Sequence, residues 1–241
     1  MTATLAAGPD LRHRETAVVE LMDDPDCDLV ALRRTYGRFA LVNRLVASWH
    51  RTYRQRVRPL LSRHRTSTLL DLGCGGGDLA LALSRWARAD GLRLDVVAVD
   101  PDPRAYAFVS ERPPTPGVRF RLAGSADLVA QGERYDILTS NHLLHHLTAA
   151  ELAGVLADTE RLTDRLALHS DLRRSRTAYA VWAATSWPAA ADSFLFTDGL
   201  LSIRRSYAPA ELAAVVPIGW RVQRQEPFRL LLSWSTGVAH G

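Results

Sequence analysis

The 241-residue sequence contains no lysine, and all 30 of its basic residues are arginine. It has only two cysteines, Cys27 and Cys74, which give no disulfide framework, so a reducing cytoplasm is the expected setting. No apolar run is long enough to cross a bilayer. No basic stretch precedes an apolar one near the amino terminus, so no signal peptide is expected. Acids are missing from Leu29 to Leu70, where Arg33, Arg34, Arg38, Arg44, Arg51, Arg54, Arg56, Arg58, Arg63 and Arg65 fall. That stripe suits nucleic acid, an anionic lipid or a phosphorylated carrier, and equally the solvated face of a helix. The helix face is preferred, because the interleaved aromatics follow core spacing. Hydrophobic residues make up 47% and charged residues 23%, the composition of a folded globular chain long enough for one large core.

The stretch Leu69-Leu70-Asp71-Leu72-Gly73-Cys74-Gly75-Gly76-Gly77-Asp78-Leu79-Ala80 organises what is present. Thr68 to Leu72 is apolar except for Asp71, as in a strand covered on both faces. Gly73, Gly75 and Gly77 permit positive φ and let a ligand approach bare backbone. The following apolar positions suit a helix whose N-terminus offers free N–H groups to the turn. A second strand, Leu94 to Val99, ends in Asp100, where a carboxylate can accept both hydroxyls of a ribose.

These two motifs, LLDLGCGGGDLAL and VVAVDPDP, resemble those of the class I S-adenosylmethionine-dependent methyltransferases. The resemblance implies an α/β fold: a Rossmann-like doubly wound sheet, mostly parallel, closed by an antiparallel hairpin. It implies S-adenosylmethionine (SAM) as cofactor, with Asp71, Gly73, Cys74, Gly75 and Gly77 at its methionine end and Asp100 and Pro101 at its ribose. Ala126 and Asp127 would border the adenine, although Asp127 also reads as a helix cap. Asn141, at the end of the strand Tyr135 to Asn141, would lie near the methyl group. Residues 1–65 would form an N-terminal helical lid and residues 66–241 the cofactor-binding domain. A cap insertion is expected at about residues 173–205, rich in Tyr179, Trp182, Trp187, Phe194 and Phe196.

Along the chain, Met1 to Asp10 reads as a loose end and Glu15 to Met22 as a short helix. Leu29 to Leu61 repeats apolar residues every three or four positions, including Phe39, Val42, Leu45, Val46, Trp49 and Tyr53. That predicts a long amphipathic helix broken near Gly37, with Tyr36 and Phe39 on the lid's inner face. Thr148 with Glu151 predicts a capping box. Residues 165–172 read as a strand ending in His169, Ser170 and Asp171.

His142, His145 and His146 crowd the probable reaction centre. A phenol of pKa near 10 costs about 4 kcal/mol to ionise at neutral pH, so a nearby base helps. His146 is the first choice for it, with His142 and His145 as further candidates or as packing residues. His142 and His146 are spaced to share an ion, but no HExxH pattern supports this, so no metal is expected. The sequence Ser140-Asn141-His142-Leu143 departs from the N-P-P-Y type of nucleic-acid amino methyltransferases, and no catalytic cysteine pair is present. The expected partner is a small aromatic acceptor of secondary metabolism, O-methylated as a phenol or quinol, rather than nucleic acid. An RNA or protein methyltransferase using the arginine stripe, and a non-catalytic partner subunit of the same fold, stay open.

Overall fold

The computed structural model describes residues 9–189 and 192–237. The expected loose end falls mostly on residues 1–8, outside the described residues, as do the side chains of Arg44, Leu45 and Val46.

Seven strands form one sheet: β1 (Ser67–Leu72), β2 (Leu94–Asp100), β3 (Val118–Leu122), β4 (Tyr135–Asn141), β5 (Thr163–Leu172), β6 (Arg221–Gln225) and β7 (Arg229–Ser235). Their order is β3-β2-β1-β4-β5-β7-β6, parallel except for β7, which runs antiparallel to β5 and β6. The order reverses between β1 and β4, and the carboxyl ends beside that reversal are where open α/β sheets bind ligands. The sheet alternates its burial. Leu70, Leu72, Val97 and Leu138 face one apolar layer, while Leu69, Val96, Ala98 and Ile137 face the other. Each fully buried leucine contributes roughly 1.5–3 kcal/mol, so two filled layers hold the sheet without disulfides.

The helices are α1 (Leu29–Val46), α2 (Trp49–Thr52), α3 (Asp78–Ala89), α4 (Pro103–Ser110), α5 (Ser125–Ala130), α6 (Ala149–Leu162), α7 (Arg176–Ser186), α8 (Leu195–Arg205) and α9 (Pro209–Val215). The expected capping box starts α6: the Thr148 hydroxyl accepts from the Glu151 N–H and the Glu151 carboxylate from the Thr148 N–H. The expected break near Gly37 is not there. Gly37 lies inside α1, and the chain turns at Ser48, whose φ is +53° and whose hydroxyl donates to the Glu226 carbonyl. The expected helix over Glu15–Met22 is reduced to one 3-10 turn, Leu21–Asp23. Residues 9–20 instead run as a strap, because tertiary partners take their polar groups. Glu15 pairs with Arg204, and the Arg14 guanidinium donates to the carbonyls of Arg205, His145 and Leu147 and to the Tyr207 hydroxyl.

Candidate active site

The glycine turn between β1 and α3 forms one end of a cavity of about 920 Å³. Gly73 and Gly75 adopt φ of +68° and +49°, and both line it. Asp100 fixes the turn by accepting from the Gly75 N–H at 2.8 Å and from the Asp102 N–H at 2.9 Å. Asp71 is opposite Thr139 in the β1–β4 register, and its Oδ1 accepts the Thr139 hydroxyl at 3.1 Å. Its Oδ2 is buried and has no hydrogen-bond partner. Burial, with Asp78 and Asp100 nearby, pushes the Asp71 carboxyl up to about 8. Cys74, Pro101 and Asn141 also line the cavity, and burial raises the Cys74 thiol well above its usual range. From above, α1 closes on the turn. The Tyr36 carbonyl would be 3.1 Å from a Cβ on Gly76, and Asn43 donates to Asp78. Tyr36 and Phe39 both line the cavity.

Three expected cofactor residues stand apart from this cavity. Gly77 has φ of +74° and packs under Phe120, whose ring would be 2.6 Å from a Cβ there. Ala126 and Asp127 belong to α5, where Asp127 accepts from the Gly124 N–H at 2.8 Å as a cap.

The carboxyl ends of β4 and β5 build a polar wall. His142, at φ of +59°, turns its Nε2 to within 2.9 Å of Arg229 Nη1 and 3.0 Å of Asn43 Oδ1. Burial and the Arg229 guanidinium hold its pKa well below the usual value, so the ring is neutral. Arg229 is fully buried, bonded to Ser170, Asn141 and His142, and burial lowers its pKa to about 10. His145 and His146 share a 3-10 turn, Leu144–His146. His145 Nδ1 lies 2.6 Å from Asp171 Oδ1, and His146 Nδ1 lies 2.9 Å from Asp23 Oδ2. Burial opposes charge on His145, but Asp171 and Glu20 outweigh it and raise its pKa to about 10. Burial also opposes charge on Asp171, and His145 reverses this, keeping the carboxyl below its ordinary range.

His169 does not reach this wall. It is buried under it, with Nδ1 2.7 Å from the Ser140 hydroxyl, and burial lowers its pKa to about 4. Asp171 does reach it, as the partner of His145. Glu20, Asp23, Asp198, Asn43 and Arg229 also line the cavity, and no local pattern in the chain marks any of them as site residues. Asp198 accepts from the Leu21 and Met22 N–H groups, anchoring the strap to α8, and burial raises it to about 6.

A second wall is largely apolar, with Ala178, Val181 and Trp182 of α7 and Leu195 and Ile203 of α8. Trp182 donates to the Phe196 carbonyl at 3.1 Å and packs flat on Gly199, where a Cβ would fall 2.3 Å from its ring. Trp187, by contrast, is 66% exposed.

Residues 69–165 match the family described as a methyltransferase domain. The chain is 31% identical over 134 residues to the ribosomal protein L11 methyltransferase of Xylella fastidiosa, covering 55% of this chain and 42% of that protein. It is 33% identical over 116 residues to the ubiquinone biosynthesis O-methyltransferase of Cereibacter sphaeroides, covering 47% of this chain and 44% of that one. The chain thus spans less than half the length of either relative. Its fold is similar to that of the plantazolicin methyltransferase BpumL, solved with S-adenosylhomocysteine (SAH) and a pentazolic desmethyl analogue. The TM-score is 0.59 at 10% identity, over 89% of this chain and 92% of that one. Human N-acetylserotonin methyltransferase, solved with SAM, gives a TM-score of 0.60 at 10% identity over 86% of this chain and 56% of that one.

Proposed function

We propose, from the premise that the chain carries a class I SAM-dependent methyltransferase domain, that it O-methylates a small phenolic or quinol-type molecule in the cytoplasm. The observation that carries this reading is the cavity itself. It runs from the glycine turn to a wall of histidines and carboxylates, under an apolar roof that holds Trp182. Such an enclosed, largely apolar space fits a flat acceptor with few polar groups. The L11 methyltransferase relative is consistent with a macromolecular acceptor, but the arginine stripe does not favour one. Arg33, Arg38, Arg58 and Arg65 pair with Glu111, Asp192, Asp90 and Asp136 of this same chain.

The residues at the turn fit SAM. Gly73 and Gly75 admit its methionine end to bare backbone, the Asp71 carboxyl lines the cavity beside them, and Asp100 stands at the ribose position. In this reading Cys74, Pro101 and Asn141 complete the contact surface, while Gly77, Ala126 and Asp127 shape the turn and the outer rim. Bound SAM supplies a methyl group on a sulfonium that leaves as a neutral thioether. The chain's own work is alignment and exclusion of water, and alignment alone lowers such a barrier by about 7–11 kcal/mol. Tyr36, Phe39 and the strap close the cavity, and Trp182 positions the acceptor ring. The acceptor's hydroxyl is activated at the wall that holds His146, which Asp23 orients.

Two measurements test this. Purified protein, methyl-labelled SAM and a cell extract should put label into the organic-soluble fraction; label in RNA or protein would overturn the acceptor class. Asp100→Ala should weaken SAM binding by calorimetry at least tenfold with little change in melting temperature. Unchanged affinity would remove Asp100 from the cofactor site.

A further inference from the structure

Glu20, His145 and His146 bring three ligand atoms to one point of the cavity wall. Glu20 Oε1 lies 3.3 Å from His145 Nε2, and Glu20 Oε2 lies 3.9 Å from His146 Nε2. The ligand atoms of all three residues fall within 4.8 Å of one another. A tetrahedral zinc-class ion with bonds of about 2.0–2.1 Å holds its ligands about 3.3 Å apart, the separation of Glu20 and His145, with His146 standing farther out. Two imidazoles and one carboxylate are also a donor set of three-ligand catalytic zinc sites, which keep a fourth position open.

The other ring nitrogens are held as a metal site needs. Asp171 holds His145 Nδ1 and Asp23 holds His146 Nδ1, so both rings present Nε2 toward Glu20. Carboxylates commonly fix metal-bound imidazoles in this way. Glu20 and His145 are only 2% and 1% exposed, and the 3.3 Å contact between Glu20 Oε1 and His145 Nε2 pairs the two groups without the alignment of a full hydrogen bond. A plain ion pair would satisfy both atoms with one aligned N–H···O contact. The guanidinium of Arg205, 3.8 Å from Glu20, does not fill the point either. It donates to the carbonyls of Val18, His145 and His146. Glu20, Asp23 and Asp171 set three carboxylates around two imidazoles, a charge that a divalent cation balances together with the Arg205 guanidinium.

We infer that Glu20, His145 and His146 bind one divalent cation of the zinc class, with an open position facing the cavity. This is not the His142–His146 pairing that spacing along the chain offers, because His142 Nε2 is engaged by Arg229 and Asn43. The consequence for catalysis rests on the methyl-transfer reading. The acceptor's hydroxyl oxygen takes the open position and releases its proton to water. The metal-held oxyanion then forms the O–CH₃ bond as the S–CH₃ bond breaks, its electron pair staying on sulfur. A bound cation lowers the pKa of a coordinated oxygen by several units. His146 is then a ligand rather than the base expected from sequence.

The test uses tag-free full-length protein, stripped with a chelator and titrated with Co²⁺ while visible absorption is recorded, without SAM or acceptor. One equivalent should bind with the intense bands of a four- or five-coordinate site, and Zn²⁺ should displace it. Glu20→Gln and His146→Gln should each weaken uptake at least 100-fold, with circular dichroism confirming the fold. His146 is only partly buried, so His146→Gln decides if Glu20→Gln does not fold. No stoichiometric uptake by the wild type, or uptake unaltered in the folded variants, overturns the site. Uptake without methyl transfer would instead sink the functional reading and leave the site standing. Full methyl transfer by stripped protein in chelator would remove the ion from catalysis.

Discussion

Asp71 sits under the glycine turn with one oxygen held by Thr139 and the other unpartnered. Burial raises its carboxyl from 3.8 to about 8. A carboxyl whose pKa rises on folding binds protons more tightly when folded, so it withdraws stability as pH climbs from about 4 to about 8. Asp71→Asn removes that dependence while keeping the acceptor for Thr139. Melting curves of cofactor-free protein between pH 4.5 and 8.5 should show the variant gaining on the wild type as pH rises. Parallel curves would show that Asp71 is charged throughout. The turn was legible because its glycines do local work: Gly73, Gly75 and Gly77 all sit at positive φ. The role of Asp127 was less so, since its position permits both an adenine contact and a cap, and the nearby Gly124 N–H takes the carboxylate.

At the scale of elements, strands and capped helices could be read from the chain because their determinants are near neighbours. β1, β2, β4 and α6 follow from continuous apolar runs, an acid at a strand end and a capping box. The strap could not be read so. Its Glu15 meets Arg204 across 189 positions, and Arg14 meets His145 across 131, so no window of sequence contains the reason it is not a helix. The break at Ser48 is similar, since its partner is the Glu226 carbonyl. The cap was legible as a surplus of aromatics, but its mechanism is one contact, Trp182 on Gly199 of α8. Adding a methyl there overpacks the interface, which costs about 1–3 kcal/mol. Gly199→Ala should push α7 outward and raise the acceptor KM about tenfold while the SAM Kd stays constant. Trp182→Phe in the same chain should recover part of the loss. An unchanged acceptor KM would mean that the cap does not touch the acceptor.

For the whole molecule, the acid side of stability depends on imidazoles buried without charge. His169 lies in the core between β5 and α6, and burial lowers its pKa from 6.5 to about 4. The unfolded chain therefore binds the proton first. The stabilisation is complete above about pH 6.5 and is lost as pH falls toward 4, amounting to roughly 3 kcal/mol at 1.36 kcal/mol per unit. Urea unfolding from pH 4.5 to 7 should show this loss in the wild type and a flatter profile in His169→Gln, whatever the variant's absolute stability. Equal slopes would mean that the ring stays uncharged for another reason.

The two ends of the cavity are made by different means. The glycine turn belongs to the β1–α3 connection, and its shape is set by backbone dihedrals and by Asp100 at a strand end. Beyond the polar wall at the strand ends, much of the rest of the lining comes from side chains of the strap, α7 and α8, none of which shares a ladder with the sheet. Mutations in those three segments can alter what the enclosure accepts without disturbing the strands that fix the donor's position. Inheritance can thus treat the molecule as a fixed socket with an exchangeable adaptor, and new specificity is reached by drift in the adaptor alone.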